Sequence, residues 1–197
     1  MRDDSFFLML QMVYLNDDMA HFDLQTALPL LSQQRREQCL RFKHDVGRNT
    51  CAAAYLLLIE GLRQEYGITE PPLLAYGEHG KPYIVGRPDI HFNISHCSQA
   101  AICVLSDKPV GVDIEGFRRY RESLMRYTMS DAEQRQILQA QRPDVEFTRL
   151  WTMKEAVVKR SGEGIAGRSL KHTLDGLPFE IHTVINEEKN YIYSITT

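Results

Sequence analysis

The chain has 197 residues, of which 43% are hydrophobic and 25% are charged, and its formal net charge is −3. This length suits one large domain or two small, closely joined ones, and the apolar content is sufficient to bury a core without disulfides. The slightly acidic balance excludes a bulk electrostatic attraction to nucleic acid, so we expect no nucleic-acid partner.

The four cysteines show neither a CxxC pair nor the spacing of zinc ligands. Cys51 lies in an apolar helical pattern and Cys103 in an apolar strand pattern, so both are expected to be small buried hydrophobic residues. Free thiols indicate a reducing compartment. The run Phe6–Leu10 is too short for a signal peptide, and no apolar stretch is long enough to span a bilayer. We therefore expect a soluble cytoplasmic protein without membrane contacts.

The first half of the chain is predicted to start with a strand and to continue with two helices. The strand covers Phe6–Leu15, the first helix Leu28–Lys43 and the second helix Asn49–Gln64, which Gly67 can end. Three short strands then follow, interrupted by turn glycines, at Leu73–Tyr76, Pro82–Val85 and Ile90–Ile94.

The second half repeats this order of strand, helices and strands in broad outline. Gln99–Leu105 and Val110–Glu115 are predicted to form a hairpin. Three helices are expected next, at Phe117–Met125, Asp131–Gln141 (with Ser130 as N-cap) and Thr148–Lys159, and then two strands, at Phe179–Ile185 and Tyr191–Thr196. The pattern indicates an α+β fold with two similar halves, residues 1–106 and 107–197.

The motif Gly111-Val112-Asp113-Ile114-Glu115 places two carboxylates on one side of a strand. Because strand side chains alternate, Val112 and Ile114 share one face, and Asp113 and Glu115 share the other. Two like charges so placed repel unless a cation lies between them. A solvent-exposed strand face explains the pattern equally well when it is taken alone.

The segment Trp151-Thr152-Met153-Lys154-Glu155-Ala156-Val157-Val158-Lys159 adds a third carboxylate. Trp151, Glu155 and Lys159 are four residues apart and lie along one helix face. A surface Glu–Lys pair, worth about 0.2–0.5 kcal/mol, and a tryptophan that anchors the core are the simpler interpretation of this helix alone. Taken together with the strand, the three carboxylates are hard oxygen donors of the kind that Mg²⁺ prefers.

Other polar residues indicate phosphate binding. Phe92-Asn93-Ile94-Ser95-His96 resembles a strand that leaves its sheet with Ser95 and His96 near a ligand. The basic residues at positions 35, 36, 41, 43 and 48 are typical of a solvated helix face, or alternatively of a phosphate-binding patch. Side chains of lysine and histidine can donate N–H groups to phosphate oxygens.

Each motif is modest alone, but their joint order resembles that of the 4′-phosphopantetheinyl transferases of the larger, single-chain type. That family carries a G-K-P turn, F-N-x-S-H, G-[VI]-D-x-E and W-[ST]-x-K-E-[AS]-x-x-K, followed by G-x-G. The G-K-P turn is Gly80-Lys81-Pro82 here, and the G-x-G is Gly162-Glu163-Gly164. The family implies two α+β halves related by a pseudo-twofold axis, each a small, mostly antiparallel sheet packed on helices, with the active site at their junction.

The resemblance implies transfer of the 4′-phosphopantetheine arm of coenzyme A to a serine of an apo acyl or peptidyl carrier protein, with release of adenosine 3′,5′-bisphosphate. The carrier could serve fatty-acid, polyketide or peptide synthesis. By resemblance, Asp113, Glu115 and Glu155 hold Mg²⁺, and Lys154 and Lys159 lie near the reacting phosphates.

Further residues are assigned to coenzyme A by the same resemblance. His96 with Arg48, and also Arg35 and Thr50 in a loosely matching segment, would contact the 3′-phosphate, while Lys81 and Ser95 would line the site. The catalytic residues expected are Asp113, Glu155 and Lys159. Glu155 is the candidate base for the attacking serine, or a metal ligand only.

Partner binding is a separate expectation. Carrier proteins of this class present an acidic helix, and the segment Phe117–Arg126 is basic and amphipathic, so it is a candidate docking surface. An ordinary helix that packs Leu124 and Met125 inward explains the same pattern. Two complete halves in one chain favour a monomer.

Two other functions fit the same residues less well. One is a Mg²⁺-dependent phosphoester hydrolase, which would cleave coenzyme A without any carrier. The other is a non-catalytic protein that binds coenzyme A or a nucleotide. The intact set of Asp113, Glu115, Glu155 and Lys159 favours the transferase.

Overall fold

Alternating apolar residues in short segments and longer amphipathic stretches fold here into small sheets covered by helices. The computed structural model describes residues 11–117, 119–164 and 170–197. They form two three-stranded antiparallel sheets, a two-stranded sheet and helices packed against them, which confirms the α+β class. The pseudo-twofold relation of the halves and their bounds, 1–106 and 107–197, stay predictions. Within the described ranges, no helix combines the length and apolarity that crossing a bilayer requires.

Eight strands are described, and their pairing sorts them into three sheets. They are β1 (Gln11–Asn16), β2 (Leu74–Tyr76), β3 (Pro82–Ile84), β4 (His91–His96), β5 (Ala101–Ser106), β6 (Val112–Gly116), β7 (Ile181–Asn186) and β8 (Tyr191–Thr196). The sheet orders are β1-β5-β4, β2-β3 and β6-β8-β7, all with antiparallel neighbours. The predicted strand Phe6–Leu15 is confirmed from Gln11 onward, and its first residues lie outside the described ranges.

The described residues include six α-helices. They are α1 (Leu24–Ala27), α2 (Gln33–Leu40), α3 (Asp45–Tyr66), α4 (Glu122–Thr128), α5 (Asp131–Gln139) and α6 (Pro143–Ser161). The two longest, α3 and α6, pack against the three-stranded sheets. The cap predictions at Ser130 and Gly67 are confirmed: Ser130 forms a capping box with Glu133, and Gly67 ends α3 in the left-handed conformation.

The predicted hairpin of Gln99–Leu105 with Val110–Glu115 is wrong. All six residues of β5 are buried, and β5 lies between β1 and β4, so both of its edges are already paired. After the turn that follows β5, the chain instead enters the other three-stranded sheet, where β6 pairs with β8. A continuous apolar run is typical of a strand that is covered on both faces, whereas an isolated hairpin leaves a face exposed.

Two predicted helices also differ from the structure. Leu28–Lys43 is interrupted, because Leu31 is extended and the Ser32 hydroxyl accepts the Arg35 N–H to start α2. In the predicted helix Phe117–Met125, Arg121 is extended and α4 begins only at Glu122. Thr148–Lys159 lies inside the longer α6, which has Pro143 in its first turn.

Candidate functional site

The two three-stranded sheets meet where β4 lies beside β6. Here side chains take the place of a backbone ladder: the Val112 N–H donates to Asn93 Oδ1 at 3.0 Å, and the Ile114 N–H donates to Ser95 Oγ at 3.3 Å. Because β4 and β6 are edge strands of different sheets, these polar side chains satisfy backbone groups that would otherwise be unpaired. The junction therefore brings the end of β4 next to the carboxylates of β6.

Gly111 allows α6 to approach the start of β6. A Cβ atom at this position would stand 2.0 Å from the Ala156 carbonyl oxygen and 2.5 Å from the Arg160 nitrogen, both of which are rigid helix backbone. Only glycine fits such a contact. The first residue of the Gly-Val-Asp-Ile-Glu motif thus sets the distance between the strand carboxylates and the helix carboxylate.

A cavity of about 370 Å³ opens at this junction, and we call it the carboxylate cleft. Asp113 and Glu115 reach it from β6, and Trp151, Glu155 and Lys159 reach it from one face of α6, as the four-residue spacing predicts. The complete lining is Ile94, Ser95, His96, Asp113, Ile114, Glu115, Trp151, Glu155 and Lys159. The cleft therefore collects residues from all three sequence motifs.

A hydrogen-bonded triangle orders the base of the cleft. The Lys159 ammonium donates to Asp113 Oδ1 at 2.6 Å and to Ser95 Oγ at 3.0 Å, and Ser95 donates to the same carboxylate oxygen at 3.0 Å. Asp113 is 5% exposed, so this ion pair is partly shielded from water. Two hydrogen bonds thereby fix the position of the Lys159 ammonium in the lining of the cleft.

The acidic groups of the cleft exceed the charge that Lys159 supplies. Burial, and then repulsion from Asp113, raise the pKa of Glu155 above its ordinary value, while Lys159 acts in the opposite direction. Asp113 Oδ2 and Glu155 Oε1 are buried and have no hydrogen-bond partner among the described residues. Buried carboxylate oxygens without a partner are costly, and a bound cation would relieve that cost.

The donor set fits Mg²⁺, although it is not assembled as a finished metal site. Carboxylate oxygens are the protein ligands that this ion prefers. Within the described ranges, no three side chains of His, Cys, Asp or Glu are already arranged around one point for a metal. Lys159 pairs with Asp113 Oδ1 in this state, and the unpaired oxygens of Asp113 and Glu155 are the groups a cation would engage.

A second cavity of about 340 Å³ adjoins the cleft, and we call it the basic cavity. It shares Ile94, His96 and Lys159 with the carboxylate cleft. Arg35 and Lys81 also line it, together with Gly162 and Gly164 of the G-x-G segment. Gly162 ends α6 in the left-handed conformation, at φ 72°. Three predicted contacts of coenzyme A, at His96, Lys81 and Arg35, therefore lie around one space.

His96 stands between the two cavities with one ring nitrogen occupied. Its Nδ1 lies 3.0 Å from Thr50 Oγ1, and the ring packs edge-on against Phe42 at 6.1 Å between centroids. Burial, followed by the positive charges of Arg35 and Lys159, lowers the pKa of His96 to about 4. His96 is therefore neutral at pH 7 in the free protein, and the contact with Thr50 influences which nitrogen carries the proton.

Lys81 and Arg48 have different surroundings. The Lys81 ammonium donates to the carbonyls of Arg160 at 2.7 Å and Val110 at 3.2 Å, so it also ties the G-K-P turn to the second half of the chain. Burial and the nearby Arg160 lower the pKa of Lys81 to about 8. Arg48 donates to the Phe42 carbonyl and pairs with Asp45, and it lines neither cavity in this structure.

The structure does not place Lys154 in the lining of the carboxylate cleft or of the basic cavity, and its expected role near the reacting phosphates stays a prediction. Its side chain is 0% exposed, forms an ion pair with Glu133 at 2.9 Å and donates to the Leu170 carbonyl at 2.6 Å. The physical reason is the helix period: residue 154 lies about 100° around the axis from residue 155 and faces α5. Its neighbour Glu155 faces the cleft instead.

Trp151 is both a packing residue and a cleft residue. Its ring stacks on Phe147 at 6.2 Å between centroids, and Phe147 stacks on Tyr120 at 4.9 Å. The indole N–H is buried without an acceptor among the described residues. The sequence analysis predicts only the packing role of Trp151. Its place in the cleft is indicated by the four-residue spacing that it shares with Glu155 and Lys159.

Comparison with known proteins gives a consistent result. The family model described as the 4′-phosphopantetheinyl transferase superfamily matches residues 109–193. A 4′-phosphopantetheinyl transferase of Bacillus subtilis is 32% identical over 159 residues, covering 78% of this chain and 70% of the relative. The transferase Sfp of Bacillus subtilis strain 168 is 27% identical over 157 residues, with 78% and 70% covered. The transferase AcpT of Salmonella typhimurium is 39% identical over 98 residues, with 46% and 50% covered.

The chain belongs to the 4′-phosphopantetheinyl transferase superfamily. It is therefore an enzyme that transfers the phosphopantetheine arm of coenzyme A to a carrier protein. This result confirms the prediction of a transferase and favours it over the two alternatives, a hydrolase and a non-catalytic binding protein.

Proposed function

We propose that transfer takes place in the carboxylate cleft, depends on Mg²⁺ and releases adenosine 3′,5′-bisphosphate. The observation that carries this proposal is the meeting of Asp113, Glu115, Glu155 and Lys159 in one cleft beside a basic cavity. Phosphoryl transfer depends on charge neutralisation and on positioning more than on covalent help from the protein. An acidic cleft joined to a basic cavity offers both.

Asp113, Glu115 and Glu155 would hold the magnesium ion. The unpaired oxygens of Asp113 and Glu155 and the raised pKa of Glu155 support this assignment, because both reflect negative charge that the protein leaves uncompensated. When bound, the ion neutralises developing charge on the diphosphate of coenzyme A. Lys159, held by Asp113 and Ser95, would donate to an oxygen of the same diphosphate.

The nucleotide end of coenzyme A would occupy the basic cavity. His96 would donate a ring N–H to the 3′-phosphate, and Arg35 would add a positive charge. Lys81 and Ser95 would line the remainder of the site. Arg48 would take part only after leaving its present partners, Phe42 and Asp45.

Glu155 is the proposed base for the attacking serine. The position of its carboxylate in the cleft, beside Asp113 and Lys159, supports this role. The serine oxygen would bond to the phosphorus that carries the pantetheine arm as its proton passes to Glu155. The bond from that phosphorus to the leaving adenosine bisphosphate would break, which completes the transfer.

The carrier protein would dock on the segment Phe117–Arg126, which we call the docking segment. Arg119 and Arg121 are exposed there, and Tyr120 begins the aromatic stack that ends at Trp151 in the cleft. Arg118 belongs to the same segment but lies outside the described residues. This arrangement supports a carrier with an acidic docking helix whose serine reaches the cleft. The proposal includes action as a monomer in the cytoplasm, in line with the free thiols.

The test is intact-mass analysis of an apo carrier protein after incubation with the enzyme, coenzyme A and Mg²⁺. We expect the carrier to gain one phosphopantetheine arm and the nucleotide product to be adenosine 3′,5′-bisphosphate. Chelation of Mg²⁺, or the substitution Glu155→Gln, should abolish the gain. Cleavage of coenzyme A without a carrier would instead support a hydrolase, and unchanged transfer after chelation would contradict the magnesium assignment.

A further inference from the structure

Two of the free cysteines form a close pair beside the basic cavity. Cys39 on α2 donates its S–H to Cys51 on α3, with the sulfur atoms 3.0 Å apart. Both side chains are essentially buried, at 0% and 1% exposure. A disulfide bond has a length of about 2.05 Å, so a movement of roughly 1 Å would join the two sulfur atoms.

A buried cation lies next to this pair. Arg35 precedes Cys39 by one helical turn, is 7% exposed and donates to the Cys51 carbonyl at 3.3 Å. Its other contacts are the Gln38 side chain and the face of the Tyr55 ring, and no ion pair is formed by it within the described ranges. A buried guanidinium without a counter-ion is costly, and a Cys51 thiolate would supply one.

The electrostatics distinguish the two thiols. The hydrogen bond from Cys39, followed by the charge of Arg35, lowers the pKa of Cys51, whereas the same hydrogen bond and burial raise the pKa of Cys39. Cys51 and Arg35 both belong to the lining of the basic cavity, although Cys51 is only 1% exposed. Cys103 in β5 is fully buried, and burial alone raises its pKa.

We propose that Cys39 and Cys51 are a redox-active pair that a peroxide converts reversibly into a disulfide, and that this conversion controls anion binding by Arg35. The Cys51 thiolate would attack one peroxide oxygen and break the O–O bond, giving a sulfenic acid and hydroxide, which becomes water. The Cys39 sulfur would then attack the Cys51 sulfur, lose its proton and release a second water. Both thiols are oxidised and one peroxide is reduced.

The effect on ligand binding rests on the proposed nucleotide site. In the reduced protein, a Cys51 thiolate competes with any ligand anion for Arg35. The disulfide is neutral, so oxidation frees Arg35 to contact a phosphate. We therefore expect oxidation to strengthen the binding of adenosine 3′,5′-bisphosphate.

The pair is tested by treating the purified enzyme with hydrogen peroxide and measuring its intact mass before and after reduction with dithiothreitol. We expect loss of two hydrogen atoms, with peptide mapping that joins residues 39 and 51. Cys39→Ser should stop at a sulfenic acid on Cys51, which dimedone traps, and Cys103→Ser is the matched control that should form the disulfide normally. Full retention of four alkylatable thiols, or a disulfide that includes Cys97 or Cys103, would overturn the proposal.

Calorimetric binding of adenosine 3′,5′-bisphosphate tests the control of Arg35. The dissociation constant should fall by roughly threefold or more on oxidation, return on reduction, and show no such response in Cys51→Ser. An unchanged constant in a fully oxidised sample would disprove the control of Arg35. Absence of binding in both redox states would instead contradict the nucleotide site of the proposed function, while the mass measurement still decides whether the disulfide forms.

Discussion

Two faces of α6 use the same residue types for opposite purposes. On the face toward α5, Lys154 is fully buried and its ammonium is satisfied by Glu133 and the Leu170 carbonyl. On the cleft face, Lys159 is held by Asp113 and Ser95, while one buried oxygen of Glu155 has no hydrogen-bond partner among the residues that the structure describes. On the first face the buried charge is paired within the protein, whereas on the second a bound ligand would pair the remaining buried carboxylate oxygen.

This difference shows how a site can be recognised without a bound molecule. Nearly all buried polar groups in native proteins have hydrogen-bond partners, so several exceptions in one place require an explanation. Asp113, Trp151 and Glu155 all carry such exceptions, and all three line the carboxylate cleft. The cleft is therefore expected to lower the stability of the free enzyme, and a bound ligand should restore it.

The largest expected effect comes from Glu155→Gln. We expect transfer to fall by about 1,000-fold or more, because the substitution removes a proposed metal ligand and base while preserving shape. Since the folded-state pKa of Glu155 is raised, its charged form opposes folding above its ordinary pKa, so the variant should melt at the same or a higher temperature. Rates from intact-mass assays and thermal unfolding measure the two effects.

The matched measurement is thermal unfolding with added Mg²⁺. The native enzyme should gain stability with the metal, and Glu155→Gln should gain much less. Equal gains in both proteins would show that the ion binds elsewhere.

The complementary change is Lys154→Met on the buried face. Removal of one member of a buried ion pair should lower the free energy of unfolding by about 3 kcal/mol, because Glu133 loses its partner. Urea unfolding measures this loss. The control is Glu155→Gln on the cleft face, which should lower transfer strongly without lowering stability, because the raised pKa of Glu155 marks a charge that opposes folding. A similar loss of stability in both variants would contradict the distinction between the two faces.

A smaller effect on stability is expected from the protonation of His96. Its folded-state pKa of about 4 lies below its ordinary value of 6.5. Between these pH values the unfolded chain binds more protons than the folded one, so stability falls as the pH falls. From pH 7 to 5.5 this contribution is about 1 kcal/mol. Comparison of urea unfolding at the two pH values should show a loss in the native enzyme that is smaller in His96→Gln. An identical loss in both would mean that other groups control this pH range.

Much of the fold could be predicted because its signals are local. The helix around residues 49–64, the Ser130 cap and the strand Tyr191–Thr196 depend on periodicity and capping within a few residues, and the structure agrees with them. The hairpin prediction failed because strand pairing is not local. Adjacent strands β5 and β6 belong to different sheets, and only the complete burial of β5 reveals that it is a central strand.

The parts of the site that lie within single sequence motifs could be predicted. The spacing of Trp151, Glu155 and Lys159 placed one helix face in the cleft, and the alternation of the Val-Asp-Ile-Glu strand placed two carboxylates there. Spacing did not reveal that Lys154 faces α5, because that depends on Glu133 from a different helix. The contact between Cys39 and Cys51 likewise joins two helices, and no pattern within either helix indicates it.

The smallest expected effect concerns the docking segment, and it tests whether the aromatic stack connects partner binding with the cleft. Arg121 is exposed just before α4, near Tyr120, whose ring stacks toward Trp151. Arg121→Glu should raise the KM for the carrier about fivefold and leave coenzyme A affinity unchanged, because a charge at an interface edge acts mainly on association. Arg135→Glu, an equal charge change at an exposed position on α5, should leave both constants unchanged. The effect of Arg121→Glu should also shrink as salt is added. If the two reversals raise the KM equally, the carrier responds to net charge alone and the docking segment is not its binding surface.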